Sequence, residues 1–267
     1  MRKMNLGKNS RETQLQAFNR LLDIMDDLRL QCPWDREQTM ETLRQLTIEE
    51  TYELGDAILD NDLEEVKKEL GDLLLHIVFY AKIGSEKNSF DIADVAHSIS
   101  EKLIERHPHI YGDVKVVNAE DVKKNWEEIK LKEGKESVLE GVPKSLPAMV
   151  KATRIQDKVA GVGFDWEKSE QVWDKVQEEL QEFQDEVKNK DQKRMESELG
   201  DVFFALINYA RFKDISPENA LEHTNKKFIK RFQYMEAEIK KEKKNMSDMT
   251  LKELDVYWDA AKIFFRK

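Results

Sequence analysis

Acidic residues recur in this chain in one pattern, twice. Glu50 and Glu53 stand three apart, fifteen residues follow, and Glu69 and Asp72 again stand three apart; 129 residues later the pattern returns as Glu179, Glu182, Glu198 and Asp201. On a helix, residues three apart project from one face. The short turn "DND", residues 60–62, would fold the two acid-bearing helices antiparallel and set pair against pair. Four inward carboxylates repel, and they must take up protons unless cations compensate, so a metal is the economical partner. A di-iron carboxylate bundle would carry His three residues after the second Glu, where both copies have Asp. Oxygen-only ligands favour Mg²⁺, with Mn²⁺ as a substitute, and Mg²⁺ completes its sphere with water and substrate phosphates. The chemistry implied is that of a phosphate substrate.

A lone E-x-x-E in a chain this charged is usually a solvated helix face. Here Asp72 and Asp201 lie inside apolar runs, "LGDLLLHIVFYA" and "LGDVFFALINYA", which predict helices buried on most faces. Gly71 and Gly200, poor helix residues, point to a close approach beside each Asp. His76 lies one turn beyond Asp72, but its counterpart is Ala205, so it reads as a satisfied core histidine rather than a ligand.

The elements that position these acids form a tandem pair. Residues 49–82 align without a gap to 178–211, with "ELGD" intact in both. Further out, "CPWD" (32–35) resembles "VGFD" (162–165), and "KLIERH" (102–107) resembles "KFIKRF" (227–232). Trp34 in the first of these reads as a packing anchor and Cys32 as a small apolar filler. The segment "EGKESVLEGVPKSLPA", 133–148, gathers Gly, Pro and Ser and reads as a connector. The expected units are therefore 1–134, a connector over 135–147, and 148–267. Periodicity and capping predict helices over 12–30, 39–59, 62–83, 91–107, 119–133, 147–160, 168–189, 191–212, 217–243 and 250–265. Gly84 reads as a helix terminator, Asp91 as an N-cap, and Ser216 with Pro217 as a cap and first turn. The fold class is all-α, with a four-helix bundle in each repeat.

Composition agrees with that class. Of 267 residues 37% are charged, while Gly (10) and Pro (5) are scarce. A net charge of −10 argues against non-specific or stable nucleic-acid binding and makes a cation the mediator for an anionic ligand. No apolar stretch reaches a membrane span, and the polar N-terminus "MRKMNLGKNSRETQLQ" lacks the apolar core of a signal peptide. With the single Cys32, a reduced cytoplasmic setting is expected.

The pattern E-x-x-E, fifteen residues, E-x-x-D resembles that of the MazG-type nucleoside triphosphate pyrophosphohydrolases, in the all-α NTP pyrophosphatase superfamily. Tandem copies, "CPWD", "ERHPHIY" and "GFDW" extend the resemblance to the full-length bacterial form over nearly the whole chain. It implies Mg²⁺-dependent hydrolysis of nucleoside triphosphates, ribo or deoxyribo and with broad base tolerance, to monophosphate and pyrophosphate, by a homodimer. It assigns nucleotide binding in the second copy to Lys175, Arg194, Asn225, Lys227, Arg231 and Trp258, and catalysis to the carboxylates there. Lys227 and Arg231 stand four apart on one face, whereas Trp258 also suits helix packing. In the first copy, Leu46 and Glu65 replace Lys175 and Arg194, and Ser100 replaces Asn225, so the second copy is expected to carry the chemistry. The rival reading is a non-catalytic helical dimer scaffold, which offers no reason for a repeated acidic tetrad.

Overall fold

The turn between the two acid-bearing helices is built the same way in both copies. Asn61 (φ 56°) and Lys190 (φ 59°) adopt the left-handed conformation at equivalent places, and the next residue, Asp62 or Asp191, caps the following helix. Each Asp side chain accepts from two backbone N–H groups of the first turn that would otherwise lack partners.

This architecture belongs to a computed structural model that describes residues 9–118, 121–122, 125–126, 129 and 137–266. Most of the helix expected over 119–133, with residues 135–136 of the expected connector, lies outside the described residues. Contacts divide the chain into two units between Val116 and Val117. Every regular element among the described residues is helical. The first unit holds α1 (Arg11–Gln31), α2 (Pro33–Glu37), α3 (Met40–Leu59), α4 (Leu63–Glu86), α5 (Ile92–Arg106) and α6 (Pro108–Tyr111). The second holds α7 (Ala148–Ala160), α8 (Ser169–Asn189), α9 (Gln192–Phe212), α10 (Pro217–Lys241), a 3₁₀ turn (Met246–Asp248) and α11 (Leu251–Phe264).

Both units share a plan. Helix α4 packs against α1, α3 and α5, and α9 packs against α7, α8 and α10, so the helix carrying E-x-x-D is central each time. Helix α11 adds a hairpin onto α10. In the first unit Met25, Leu43, Val78, Phe79 and Ile83 form the buried core. The second buries Val172, Val176, Val202, Ala205, Ile207, Met235, Ile239 and Ala261. Asp91 and Ser216 cap α5 and α10 as expected, with Pro217 in the first turn.

Several local expectations are corrected. Gly84 does not end a helix: α4 runs on to Glu86, and a Cβ at Gly84 would meet the Phe90 ring at 2.8 Å, so the glycine admits that ring. A Cβ at Gly71 or Gly200 would meet nothing within 4 Å, so the close approach expected there is not made within the described chain. Nor are α4 and α9 buried on most faces. Leu70, Leu74 and Ile77 are exposed along α4, and the equivalent Leu199, Phe203 and Leu206 are exposed along α9. Trp34 is also exposed, while its neighbour Asp35 is buried. Asp35 and Gln38 offer their carbonyls to Arg29, whose guanidinium also pairs with Glu86 at 2.9 Å.

Candidate functional site

The hairpins bring three carboxylates of each tetrad together. One oxygen from each of Glu50, Glu69 and Asp72 lies within 4.8 Å of the others, and so do oxygens from Glu179, Glu198 and Asp201. Glu53 and Glu182 are exposed and stand outside these clusters. Crowding of like charge has its expected effect. The Glu50 carboxyl is held above the usual range by loss of hydration and by the Asp72 and Glu69 carboxylates. Glu182 is raised in the same direction, by loss of hydration and then by the Glu179 charge.

The two clusters differ in which acid is buried and what neutralises it. In the first, Glu69 is 1% exposed, takes Lys68 on Oε1 at 3.0 Å, and leaves Oε2 buried without a partner. In the second, Glu179 is the buried member and Lys175, one turn earlier on α8, reaches it at 2.7 Å. A set of carboxylate oxygens with an orphaned buried oxygen among them fits a hard divalent cation.

The second cluster opens onto a cavity. It holds about 520 Å³, and Lys175, Glu179 and Asp201 form one wall. From Asp201 the lining continues along α9 through Phe204, Ala205, Asn208 and Arg211, the i, i+3/i+4 stripe of a single helix face. Helix α7 contributes Ile155, Gln156 and Val159, and the loop after it contributes Gly163, Phe164, Asp165 and Trp166. Gly163 has φ 87°, a conformation that favours glycine and turns the chain into this wall. Arg211 ties the parts together by pairing with Asp165 and donating to Asn208 Oδ1 at 2.9 and 3.1 Å.

The equivalent positions of the first unit are filled. Leu46, Leu75, His76 and Phe79 replace Lys175, Phe204, Ala205 and Asn208. Leu46, Leu75 and Phe79 belong to the apolar core, packed with Phe18, Leu22 and Met25 of α1. His76 is buried as expected but is not satisfied: its Nδ1 has no partner, and desolvation pushes its pKa down against the pull of Asp72.

Of the expected nucleotide-binding residues, Lys175 alone lines the cavity. Arg194 is exposed at the start of α9, 3.5 Å from Asp191 and 3.7 Å from Glu186. Asn225 donates to Glu222, Lys227 is exposed, and Arg231 keeps its Nε buried without a partner. Trp258 is half-buried with its ring 4.9 Å from that of Phe228, a packing arrangement between α10 and α11. Gln156, Asp165, Trp166, Asn208 and Arg211 were not among the expected residues. The quoted "GFDW" contained two of them, and Asn208 and Arg211 differ from Phe79 and Lys82 inside the aligned block.

A central helix bearing carboxylates, repeated in tandem and set in one copy beside a cavity, defines a helical protein of the phosphohydrolase type. The MazG nucleotide pyrophosphohydrolase domain matches residues 38–111 and 167–235, spanning both acidic patterns, and the chain belongs to that family. It is 41% identical over 250 residues, covering 92% of this chain and 95% of the relative, to the nucleoside triphosphate pyrophosphohydrolase/pyrophosphatase MazG of Thermotoga maritima. It is 40% identical over 257 residues, covering 93% and 98%, to the nucleoside triphosphate pyrophosphohydrolase of Escherichia coli (strain K12). The protein YabN of Bacillus subtilis (strain 168) is 47% identical over 86% of this chain and 48% of its own length.

Proposed function

We propose that the chain hydrolyses nucleoside triphosphates to nucleoside monophosphate and pyrophosphate, with Mg²⁺ as cofactor and the second unit as the working site. The observation that carries the reading is the cavity of about 520 Å³ beside Glu179 and Asp201, whose volume would admit a nucleoside next to the carboxylates. Glu179, Glu198 and Asp201 would hold the metal, with Glu182 one turn from Glu179. Bound there, Mg²⁺ supplies charge neutralisation at the phosphates and lowers the pKa of a coordinated water.

The chain's own groups do the remainder. Lys175, drawn strongly toward its charged form by Glu178 and Glu179, keeps a fixed cation at the junction of carboxylates and cavity, where a polyphosphate must pass. Glu179, buried in the cavity wall, is placed to orient the attacking water. Attack at the α-phosphorus breaks its bond to the bridging oxygen, which leaves with pyrophosphate. The apolar side chains of Ile155, Val159 and Phe204 would line the nucleoside end of the cavity.

Dimerisation belongs to the same proposal. The exposed stripes Leu70, Leu74, Ile77 and Leu199, Phe203, Leu206 occupy the same helix positions in both repeats, and a second copy of the chain is the partner proposed for them. No helix among the described residues is long and apolar enough to cross a membrane.

The decisive experiment is product analysis after incubation with Mg²⁺ and a mixture of nucleoside triphosphates. Pyrophosphate with monophosphate is expected, lost on chelation and restored by Mg²⁺ or Mn²⁺. Orthophosphate as the product, or full turnover in metal-free buffer, would overturn the reading.

A further inference from the structure

Five charged side chains line the cavity, Lys175, Glu179 and Asp201 at one end and Asp165 and Arg211 at the other. Arg211 lies ten residues beyond Asp201 on α9, about 15 Å along the helix axis. A cavity that receives a polyphosphate thus carries a cation at each end, and a run of phosphates is attracted to both.

The two cations are neutralised in different ways. Lys175 pairs with Glu178 at 2.8 Å and Glu179 at 2.7 Å. Glu179 belongs to the acidic cluster, so a cation held there shares its charge and loosens its hold on Lys175. Asp165 stands outside both acidic clusters, and its Oδ1 takes the Arg211 guanidinium together with the Trp166 backbone N–H at 2.9 Å. Arg211 donates further to Asn208 Oδ1 at 2.9 and 3.1 Å, and its guanidinium lies over the Phe212 ring, 4.8 Å from the centroid. The Arg211 and Asp165 side chains are 19% and 26% exposed, so solvent screens their pairing weakly.

We propose that Asp165 masks Arg211, leaving the carboxylate end as the one place in the cavity that holds a polyphosphate, so that a nucleotide binds in a single register with its phosphates at the metal ligands. Asp165 is then a positioning residue that acts through Arg211 and touches no reacting atom. The inference rests on the hydrolase reading for its reaction, whereas the masking concerns phosphate binding alone. Charge decides the register, so nucleotides of every base are affected alike.

The test uses the full chain with Mg²⁺. Asp165→Asn keeps the size of the side chain and an oxygen for the Trp166 N–H but frees the Arg211 charge. Triphosphate then also binds in the reverse register, away from the metal ligands, which should lower kcat and KM together by about tenfold and keep kcat/KM within about threefold of wild type. Adding Arg211→Gln to the same chain removes the competing cation, keeps an amide donor for Asn208, and should restore kcat to within about threefold of wild type. A residue that merely holds the loop in place would lower kcat/KM without rescue by the second substitution, and that pattern would overturn the proposal. Wild-type constants in Asp165→Asn would overturn it too.

Calorimetric titration with inorganic tripolyphosphate and Mg²⁺ reads the masking without hydrolysis and decides the matter should Asp165→Asn not fold. Wild type and Arg211→Gln should bind it with affinities within about threefold of each other, because Arg211 takes no phosphate in the wild-type chain. Binding weakened about tenfold or more by Arg211→Gln would make Arg211 a phosphate ligand and overturn the masking. Equal binding by the two, with no triphosphate hydrolysed by wild type, would remove the hydrolase reading and leave the masking standing.

Discussion

Lys175 holds its ammonium 2.7 Å from Glu179 on the wall of the cavity, whereas Leu46, its counterpart in the first repeat, packs against that unit's apolar core. The same backbone position thus supplies a charge for phosphate in one copy and an apolar filler in the other. A hydrogen bond to a charged group contributes about 1.5–3 kcal/mol, so its loss alone separates the copies by roughly tenfold or more in affinity.

The repeats should therefore be unequal in activity. Glu198→Gln is expected to lower pyrophosphate release by about a hundredfold or more, because it removes a ligand charge beside the cavity. Glu69→Gln should leave most of the turnover. Steady-state rates of the two variants, with circular dichroism to show that both are folded, check this. Equal losses would assign the chemistry to both repeats.

Much of this was legible in the sequence, because helices announce themselves through local signals. The caps Asp91 and Ser216 are short-range features, and the helix starts fall where those residues place them. The acidic clusters were legible too, since three-residue spacing on a hairpin brings side chains together without regard to the rest of the fold. The cavity was not. Gln156 looked like any polar helix residue until α7 packed on α9 and gave its Nε2 the Phe204 carbonyl. Glu53 and Glu182 look equivalent to the convergent acids in spacing, and only the rotation of α3 and α8 leaves them in solvent.

Assembly can be read by light scattering. Wild-type chain should scatter at about twice 31.4 kDa, since Leu199, Phe203 and Leu206 form an exposed apolar stripe matched by Leu70, Leu74 and Ile77. Phe203→Glu places an unpaired charge in that contact and is expected to shift the mass to 31.4 kDa at micromolar concentration. Wild-type protein found only at the lower mass would remove the dimer.

A stabilising substitution is available at the second hairpin. Lys190 sits at φ 59°, where a side chain costs about 1 kcal/mol that glycine avoids. Lys190→Gly should raise stability by about 0.5–1 kcal/mol in urea unfolding, with the slope unchanged. Asn61→Gly, at the equivalent turn, should gain less, because Asn already tolerates the left-handed region. A destabilised Lys190→Gly variant would mean that the Lys side chain makes a contribution larger than the strain.

The ion pair between Arg29 and Glu86 gives a pH signature. Arg29 holds the Glu86 carboxyl below the usual range, chiefly through a direct hydrogen bond. A depressed folded pKa means that the native state binds fewer protons than the unfolded chain, so the pair's stability is present above the unfolded value near 4.5 and disappears as pH falls through the folded value. Glu86 is more than a third exposed, so screening limits the contribution to about 0.5–1 kcal/mol. Glu86→Gln should thus be less stable than wild type at pH 7, with a deficit that shrinks as pH falls below 4.5 toward 3. Arg29 also donates to the carbonyls of Asp35 and Gln38, and the Asp35 carbonyl keeps the Gln38 N–H as a donor, so Arg29→Met removes one donor from each carbonyl and should cost about 1–3 kcal/mol at both pH values. Thermal unfolding of both variants at the two pH values measures the difference. A Glu86→Gln deficit of the same size at pH 3 as at pH 7 would show that the pair acts through packing instead of charge.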